Sequence, residues 1–272
     1  MYAQTNIQLY NQLERNGYSG WELSCVRNAY ELAMHLSTCL YRPSGKTNIA
    51  HFVGTASILS SLRAPVEVVA AGLLHSIYFH GDFGSIRKGM LSSRRKQIRD
   101  AVGHDVEEYI ARYTALQWNP QTIPEIRNKL HELDTIDRYV VLMHLADWLE
   151  DHLDRGILYC PNAEGRLKYT KLRNDIVIQM AEELGFPSLA AELKRIFDET
   201  VLSEIPVEIR SPIGYEHLFL IAPNSYRRSV SAYQELALQY LRRQLYLPFK
   251  LRRFLPPKLR RFLRRLISLF QE

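Results

Sequence analysis

The chain has 272 residues, 46% of them hydrophobic and 24% charged, which is typical of a globular protein and excludes a disordered or fibrous one. Cys25, Cys39 and Cys160 stand at unrelated spacings, so we expect neither a disulfide framework nor a zinc ribbon but a reducing, cytoplasmic environment. Because no run of about 18 apolar residues and no signal-peptide pattern occurs, we also expect no membrane-spanning helix and no signal peptide.

The net charge of +6 is unevenly distributed. Residues 242–272 contain ten Lys and Arg but only one acidic residue, which leaves 25 basic and 28 acidic residues in the rest of the chain. A mildly acidic body therefore carries a strongly basic C-terminal segment, and the two parts need separate explanations.

Apolar residues at helical spacing, interrupted by proline and glycine, run through most of the sequence. They predict helices at about 3–17, 19–41, 48–62, 65–79, 91–102, 104–117, 134–155, 163–184, 187–202 and 224–246. Since no segment alternates convincingly, we predict an all-α fold. We expect a helical domain over 1–202, an extended connector over 203–223 and C-terminal helices over 224–272.

Three titratable residues fall within apolar helices, where such groups are costly unless they are paired or bound to a metal. They are His51, His75 and Asp147. Two imidazoles and one carboxylate from three helices form a suitable set for Mn, Fe or Zn. The alternative is that these are ordinary buried histidines, because the chain contains nine.

Three short motifs carry a family resemblance: residues 45–51 (GKTNIAH), 70–75 (AAGLLH) and 145–147 (LAD). With the 24-residue separation of His51 and His75, they resemble the HD-domain phosphohydrolases, and within these the hydrolase domain of the RelA/SpoT enzymes, which remove pyrophosphate from ppGpp. Residues 180–186 and 192–193 are similar to later helices of that domain. The likeness covers about residues 25–200 and implies an HD-domain-like helical bundle.

The resemblance implies that His51, His75 and Asp147 are the ligands of a divalent metal. Ser76 stands where the family has the aspartate of its His-Asp motif, and a neutral hydroxyl is a poor substitute for a carboxylate. The metal is therefore expected to be held more weakly, or to be absent, although neighbouring polar groups could compensate in part.

The acidic pair that positions water in the alarmone hydrolases is replaced here by Phe79 and His80. His80 could serve as a general base because imidazole titrates near neutrality, or it could be a solvated loop histidine. Asp82 lies two residues further on and could turn into the site. These two residues are our candidates for proton transfer.

Candidates for ligand binding lie in the loops around the metal ligands. Arg42 and Lys46 could meet a phosphate, or could be two solvated loop charges. Tyr78 could stack on a ligand or simply pack. Asp151, one helical turn after Asp147, and Glu150 could support the metal ligands or form an exposed acidic edge. We prefer Asp151 as the support because it shares a face with Asp147.

Residues 249–270 form an amphipathic pattern rich in arginine. Leu259, Phe262, Leu263, Leu266, Ile267 and Phe270 define one face, with arginines on the other. Such a helix suits an anionic membrane, here the inner membrane face, where apolar burial and charge attraction add. Docking on the protein's own body or on a partner is the alternative. Nucleic acid is disfavoured, because the aromatic residues share the apolar face instead of alternating with the arginines.

These features predict a divergent HD-type phosphohydrolase that acts on a small phosphorylated or nucleotide-like ligand. The missing carboxylates disfavour hydrolysis of ppGpp itself. The alternative is a catalytically degenerate HD domain that binds a ligand or a partner, at a membrane surface if residues 249–270 meet lipid.

Overall fold

Helices make up most of the part of the chain that this computed structural model describes, which comprises residues 2–84, 89–209, 219–221 and 224. The α-helices are α1 (Asn6–Arg15), α2 (Gly20–Ser37), α3 (Asn48–Ser61), α4 (Val66–Gly72), α5 (Ile77–His80), α6 (Ser92–Val102), α7 (His104–Ala115), α8 (Thr122–Asn128), α9 (Thr135–His152), α10 (Ala163–Glu183) and α11 (Pro187–Leu202). Short 3-10 segments lie at Leu130–Glu132, Leu153–Tyr159 and Val207–Ile209. The predicted all-α class is confirmed.

Polar side chains fix where several helices begin. Thr5 and Ser19 form capping boxes with the third residues of α1 and α2. Thr47 accepts a hydrogen bond from the amide of Ala50 at the start of α3, and Asp134 caps α9 in the same way. Each cap satisfies an amide that has no partner inside its helix, typically worth about 1 kcal/mol.

The core is built around α3, which is buried along nearly its whole length. It packs against α4 and α9, while α4 also contacts α2 and α7. The helices α10 and α11 pack against each other and against α9. Because α3 is surrounded, any polar side chain that it carries must find its partners inside the protein.

The helix predicted over 65–79 is interrupted at the histidine motif. It ends at Gly72 and resumes as the short α5 at Ile77. Between them the amides of Leu73, Leu74 and Ile77 bond to carbonyls three residues earlier, which tightens the chain. The Gly72 carbonyl, an acceptor freed by this break, takes a hydrogen bond from the ring of His75.

Helix α2 is shorter than predicted, because it ends at Ser37 and Cys39 adopts a left-handed backbone with φ of 67°. The chain then enters a two-residue strand, β1 (Leu40–Tyr41), which pairs antiparallel with β2 (Phe219–Leu220). The strand β2 and the segment Val207–Ile209 fall within residues 203–223. The predicted division at 202 and 223 stays a prediction.

The chain divides into two compact units, Met1–Ile221 and Ala222–Glu272. Of the second unit only Asn224 is described, so the predicted helix over 224–246 and the amphipathic segment 249–270 lie outside the described residues. Within the described residues, no helix is long and apolar enough to cross a membrane. Cys25, Cys39 and Cys160 are all free thiols.

Candidate metal centre

His51 lies in the first half of α3 and is fully buried. Its Nδ1 contacts the carboxylate of Glu150, which is itself buried on α9. A carboxylate can only accept, so Nδ1 carries the proton of this contact. A carboxylate that holds one ring nitrogen of a histidine in this way orients the ring so that the other, Nε2, could bind a metal.

His75 is held in the break between α4 and α5. Its Nδ1 donates a hydrogen bond to the Gly72 carbonyl at 2.9 Å, which fixes the ring and leaves Nε2 to face the other ligands. The ring lies edge-on to Phe52 and to Tyr113, each with a centroid separation of 5.1 Å. The turn therefore performs for His75 the orienting role that Glu150 performs for His51.

Asp147 completes the cluster from α9. The hydroxyl of Tyr113 donates a hydrogen bond to its Oδ2 at 2.9 Å, and its Oδ1 faces the two histidines. Burial raises the pKa of this carboxyl, but the neighbouring imidazoles of His75 and His51 outweigh burial and hold the pKa well below its usual range. The carboxylate is thus anionic at neutral pH and could serve as a metal ligand.

The three ligand atoms are mutual neighbours. Nε2 of His51 is 3.3 Å from Nε2 of His75 and 3.0 Å from Oδ1 of Asp147, and Nε2 of His75 is 3.4 Å from the same oxygen. Nitrogen and oxygen atoms bound tetrahedrally at about 2.0–2.2 Å from one ion are about 3.4 Å apart. The described side chains could therefore hold a divalent cation, and they form one of two such groups found among them.

Five of the nine buried side-chain atoms without a hydrogen-bond partner among the described residues belong to these candidate ligands or to residues close to them in the chain. Oδ1 of Asp147, Nε2 of His144, Oγ of Ser76 and both side-chain polar atoms of Asn48 have no hydrogen-bond partner among the described residues. Each of these residues lies within one helical turn of a ligand or is one. Buried polar groups in proteins are nearly always satisfied, so this concentration fits a site completed by an ion, water or ligand.

The second group consists of His51, Glu150 and Asp151. Its acids already have cationic partners, because Lys46 pairs with Glu150 and Arg42 pairs with Asp151. We therefore interpret these acids as supports for the first group.

Gly54 makes room for the Glu150 contact. A β-carbon at this position of α3 would lie 2.5–2.9 Å from three side-chain atoms of Glu150, too close for any stable contact. The glycine allows the carboxylate to reach His51 across the interface between α3 and α9. A glycine inside an otherwise apolar helix is a signal that the sequence contained, although nothing in it showed which partner required the space.

Arg42 and Lys46 lie at the mouth of the site. Besides its pairing with Asp151, Arg42 places Nη1 3.1 Å from Nε2 of His51. A cleft of about 210 Å³ beside them is lined by Ser44, Glu150, Asp151, Asp154 and Tyr159, among other residues. The predicted ligand-binding residues Arg42, Lys46 and Asp151 thus meet at one cleft beside the histidines.

Glu150, which we ranked below Asp151, makes the closer contact with His51. Glu150 is only 1% exposed and contacts His51, whereas the Asp151 side chain is 30% exposed and lies 3.7 Å from the same nitrogen. Sharing a helix face with Asp147 did not show which of the two acids contacts His51. Tyr113, which sequence reasoning missed, also supports a ligand, and nothing in the pattern of α7 distinguishes it from other aromatic residues.

Tyr78, His80 and Asp82 are the remaining predicted residues. Tyr78 is buried, and its hydroxyl donates a hydrogen bond to Glu107 at 2.6 Å, which is what packing would require. His80 is exposed beside Phe79. Asp82 is also exposed, and its carboxylate accepts from the amide of Gly84 at 2.8 Å. Proton transfer by His80 or Asp82 stays a prediction.

Another, aromatic cleft of about 510 Å³ includes Asp147 in its lining. It is lined by Trp118, His144, Trp148, Arg166 and Tyr169, among other residues. The ring of His144 stacks between those of Tyr113 and Trp118, at centroid separations of 3.8 and 4.6 Å. Burial lowers the pKa of His144 to about 3, so the ring is neutral at physiological pH.

Comparison with known proteins gives limited matches. The model of a family described as a domain of unknown function (DUF6817) matches residues 35–117, less than half of the chain. No curated protein matches. A solved structure of a metazoan ortholog of SpoT, described as hydrolysing ppGpp and acting in starvation responses, is similar at 17% identity and a TM-score of 0.45, with 68% of this chain and 98% of that one covered.

Proposed function

We propose that the chain is a divergent HD-type metalloprotein that acts on a small phosphorylated or nucleotide-like ligand. The observation that carries the proposal is the convergence of His51, His75 and Asp147, whose ligand atoms lie within 3.4 Å of one another. These are the residues that the HD-type motifs single out in the sequence. Helix α3, the turn between α4 and α5, and helix α9 deliver them to one point, and each is oriented by a further hydrogen bond or ionic contact.

The donor set favours a transition metal. Two imidazole nitrogens and one carboxylate oxygen suit Mn, Fe or Zn, whereas magnesium and calcium prefer sites made of oxygen. A divalent cation held there would supply Lewis acidity toward a phosphoryl oxygen. Glu150, the Gly72 carbonyl and Tyr113 would keep the three ligands in place. Each bonds the nitrogen or oxygen of its ligand residue that faces away from the centre.

The phosphate of the ligand would lie at the cleft beside Arg42 and Lys46. A guanidinium can donate two parallel hydrogen bonds to phosphate, and an ammonium adds a point charge. Both side chains are paired with carboxylates of α9, so an anion would have to exchange with Asp151 and Glu150. This arrangement favours a ligand with more than one negative charge.

The reaction would differ from hydrolysis of ppGpp. Ser76, Phe79 and His80 replace three carboxylates of the alarmone hydrolases, and both His80 and Asp82 are exposed. We propose His80 and Asp82 as the candidates for proton transfer. Because both are exposed, the general base would act from the solvent side of the site.

Metal analysis of the purified full chain tests the proposal. We expect about one transition-metal ion per chain, lost in His75→Ala and retained in His104→Ala, which removes an exposed histidine on α7. Hydrolysis of a panel of phosphomonoesters and nucleotides should then depend on the same ion. A folded wild-type protein that binds no added Mn²⁺ or Zn²⁺ would contradict the proposal.

One observation favours a second function, that of a catalytically degenerate module that only binds a ligand. The guanidinium of Arg42 lies against the nitrogen of His51 that would bind the metal, so a cation of the chain itself can neutralise Asp147 and Asp151. A metal-free protein that still binds a nucleotide or a phosphorylated compound would identify this function.

A further inference from the structure

Arg42 reaches the candidate metal centre from a fixed backbone. It follows β1 directly, and a tight turn closes behind it: its amide donates to the Lys46 carbonyl, and its carbonyl accepts from the Gly45 amide, both at 2.8 Å. From this position the side chain, 17% exposed, extends inward to His51 and Asp151. The turn thus fixes the backbone of Arg42, while its side chain stays partly accessible to solvent.

The contact with His51 concerns the nitrogen that would bind the metal. Nη1 of Arg42 is 3.1 Å from Nε2, the atom that also faces His75 and Asp147. In the neutral ring with its proton on Nδ1, this nitrogen has one lone pair, so it can accept from Arg42 or bind a cation, but not both. A cation about 2 Å from Nε2 would also lie within a few ångströms of the guanidinium charge, where repulsion is strong.

We propose that Arg42 is a built-in competitor for the metal: its guanidinium balances the anionic cluster in the metal-free protein and leaves Nε2 of His51 when a divalent cation binds. The competition sets the metal affinity of the site. The released guanidinium remains in the cleft with Asp151 and Lys46, where the phosphate of a ligand would lie. This inference rests on the proposed metal centre.

Lys46 provides a matched control. It carries the same charge, comes from the same loop and pairs with a carboxylate of α9, but its partner Glu150 contacts the back of His51 and not Nε2. Removing either charge makes the region more negative by one unit. Only removal of Arg42 also frees the ligand atom, so the two variants separate occupancy of the site from general electrostatics.

The experiment is titration of the full chain with Mn²⁺ alone, by calorimetry, for wild type, Arg42→Gln, Lys46→Gln and His75→Ala. We expect Arg42→Gln to bind Mn²⁺ at least about tenfold more tightly than wild type and Lys46→Gln to change the affinity by less than about threefold, with no binding by His75→Ala. Equal affinities of wild type and Arg42→Gln, or equal gains in both Gln variants, overturn the inference but leave the metal centre intact. Absence of Mn²⁺ binding in every variant overturns both.

Thermal unfolding with and without Mn²⁺ distinguishes the competition from a purely structural role for Arg42, because a structural role predicts no recovery of stability with the cation. The melting temperature of Arg42→Gln should fall below that of wild type without metal and approach it with saturating Mn²⁺, because the guanidinium is needed only while the cation is absent. If Arg42→Gln does not fold, Arg42→Lys decides, since lysine keeps the charge but lacks the planar fork that spans His51 and Asp151. An unchanged Mn²⁺ affinity in Arg42→Lys would then contradict the competition.

Discussion

The orientation of a single side chain in this protein can depend on one residue of another helix, and Gly54 is the clearest case. The absence of its side chain permits Glu150 to contact His51, so the orientation of one proposed ligand depends on a position that carries no functional group. Residues of this kind determine whether a cluster of titratable groups can become a metal site.

Replacing Gly54 with alanine should weaken metal binding about tenfold, because the added β-carbon displaces Glu150 and leaves Nδ1 of His51 without its acceptor. Calorimetric titration with Mn²⁺ measures the effect. Gly20→Ala is the control, since a β-carbon there meets nothing within 4 Å. Identical Mn²⁺ affinities in both variants would show that Glu150 does not support the ligand.

His144 should make the protein sensitive to acid. Its folded pKa, about 3, is below the unfolded value of about 6.5, so its contribution to stability is full above pH 6.5 and is lost as the pH falls toward 3. Burial is the main cause, and the neighbouring charges are Asp147, which opposes the shift, and His75, which adds to it.

His144→Phe should therefore flatten the pH dependence. Between pH 6 and 4 the free energy of unfolding of wild type should fall more steeply than that of the variant, by up to about 1.4 kcal/mol per pH unit. Urea unfolding across this range gives both slopes. Parallel slopes would show that His144 takes up a proton in the folded protein.

The sequence identified the central residues for physical reasons. His51, His75 and Asp147 stand in apolar stretches of sequence, where an ionisable group needs a partner, and the structure brings all three together. The sequence alone could not identify Tyr113 or rank Glu150 above Asp151, because those contacts depend on how α7 and α9 are rotated against α3. Periodicity shows which face of a helix is apolar but not which neighbouring atom it meets.

At the scale of elements, helix α5 is tied to α6 and α7 by a buried carboxylate. Glu107 of α7 accepts hydrogen bonds from Tyr78 and from Arg95 Nε at 2.6 Å, and from Arg99 Nε at 2.6 Å. The carboxylate is fully satisfied, and these cations outweigh burial to lower its pKa. These hydrogen bonds hold α5, the helix that follows His75, against α6 and α7.

Glu107→Ala should destabilise the fold by about 3 kcal/mol, because the buried hydroxyl of Tyr78 and the Nε of both Arg95 and Arg99 lose the acceptor that they share. Urea unfolding measures the loss. The neighbouring Glu108→Ala is the control: it pairs with Arg95 and Arg112 nearer the surface, where such pairs contribute less than about 1 kcal/mol. Equal losses in the two variants would argue against the network.

Helix boundaries were predictable where local chemistry sets them and not where tertiary contacts do. The starts of α3 and α11 follow from Thr47 and Pro187, which act within their own turn. The break after Gly72 was missed, since residues 65–79 are apolar throughout and their periodicity favours one helix. The hydrogen bond between His75 and the Gly72 carbonyl, which accompanies the break, is not visible in the pattern.

At the scale of the whole molecule, the uneven charge remains to be explained. Residues 242–272 carry a net charge of +9. We propose that segment 249–270 binds an anionic membrane surface, with its apolar face inserted and its arginines at the headgroups. The proposal rests on the sequence pattern alone.

Liposome flotation tests this proposal. The full chain should float with vesicles that contain phosphatidylserine, and a variant ending at residue 247 should not. Binding should weaken on vesicles of neutral lipid and at high salt, because charge attraction supplies part of the affinity. Equal flotation of the full chain and the shortened variant would end the membrane hypothesis.

The close approach at Gly54 also has an evolutionary consequence. A side chain at position 54 and a glutamate at position 150 compete for the same space, so the two positions should not vary independently among homologues. In homologues with a residue other than glycine at position 54, we expect a residue smaller than glutamate at position 150. The histidine at position 51 should then be lost or supported by a different residue. The pair would then mark, from sequence alone, which branches have kept the metal centre.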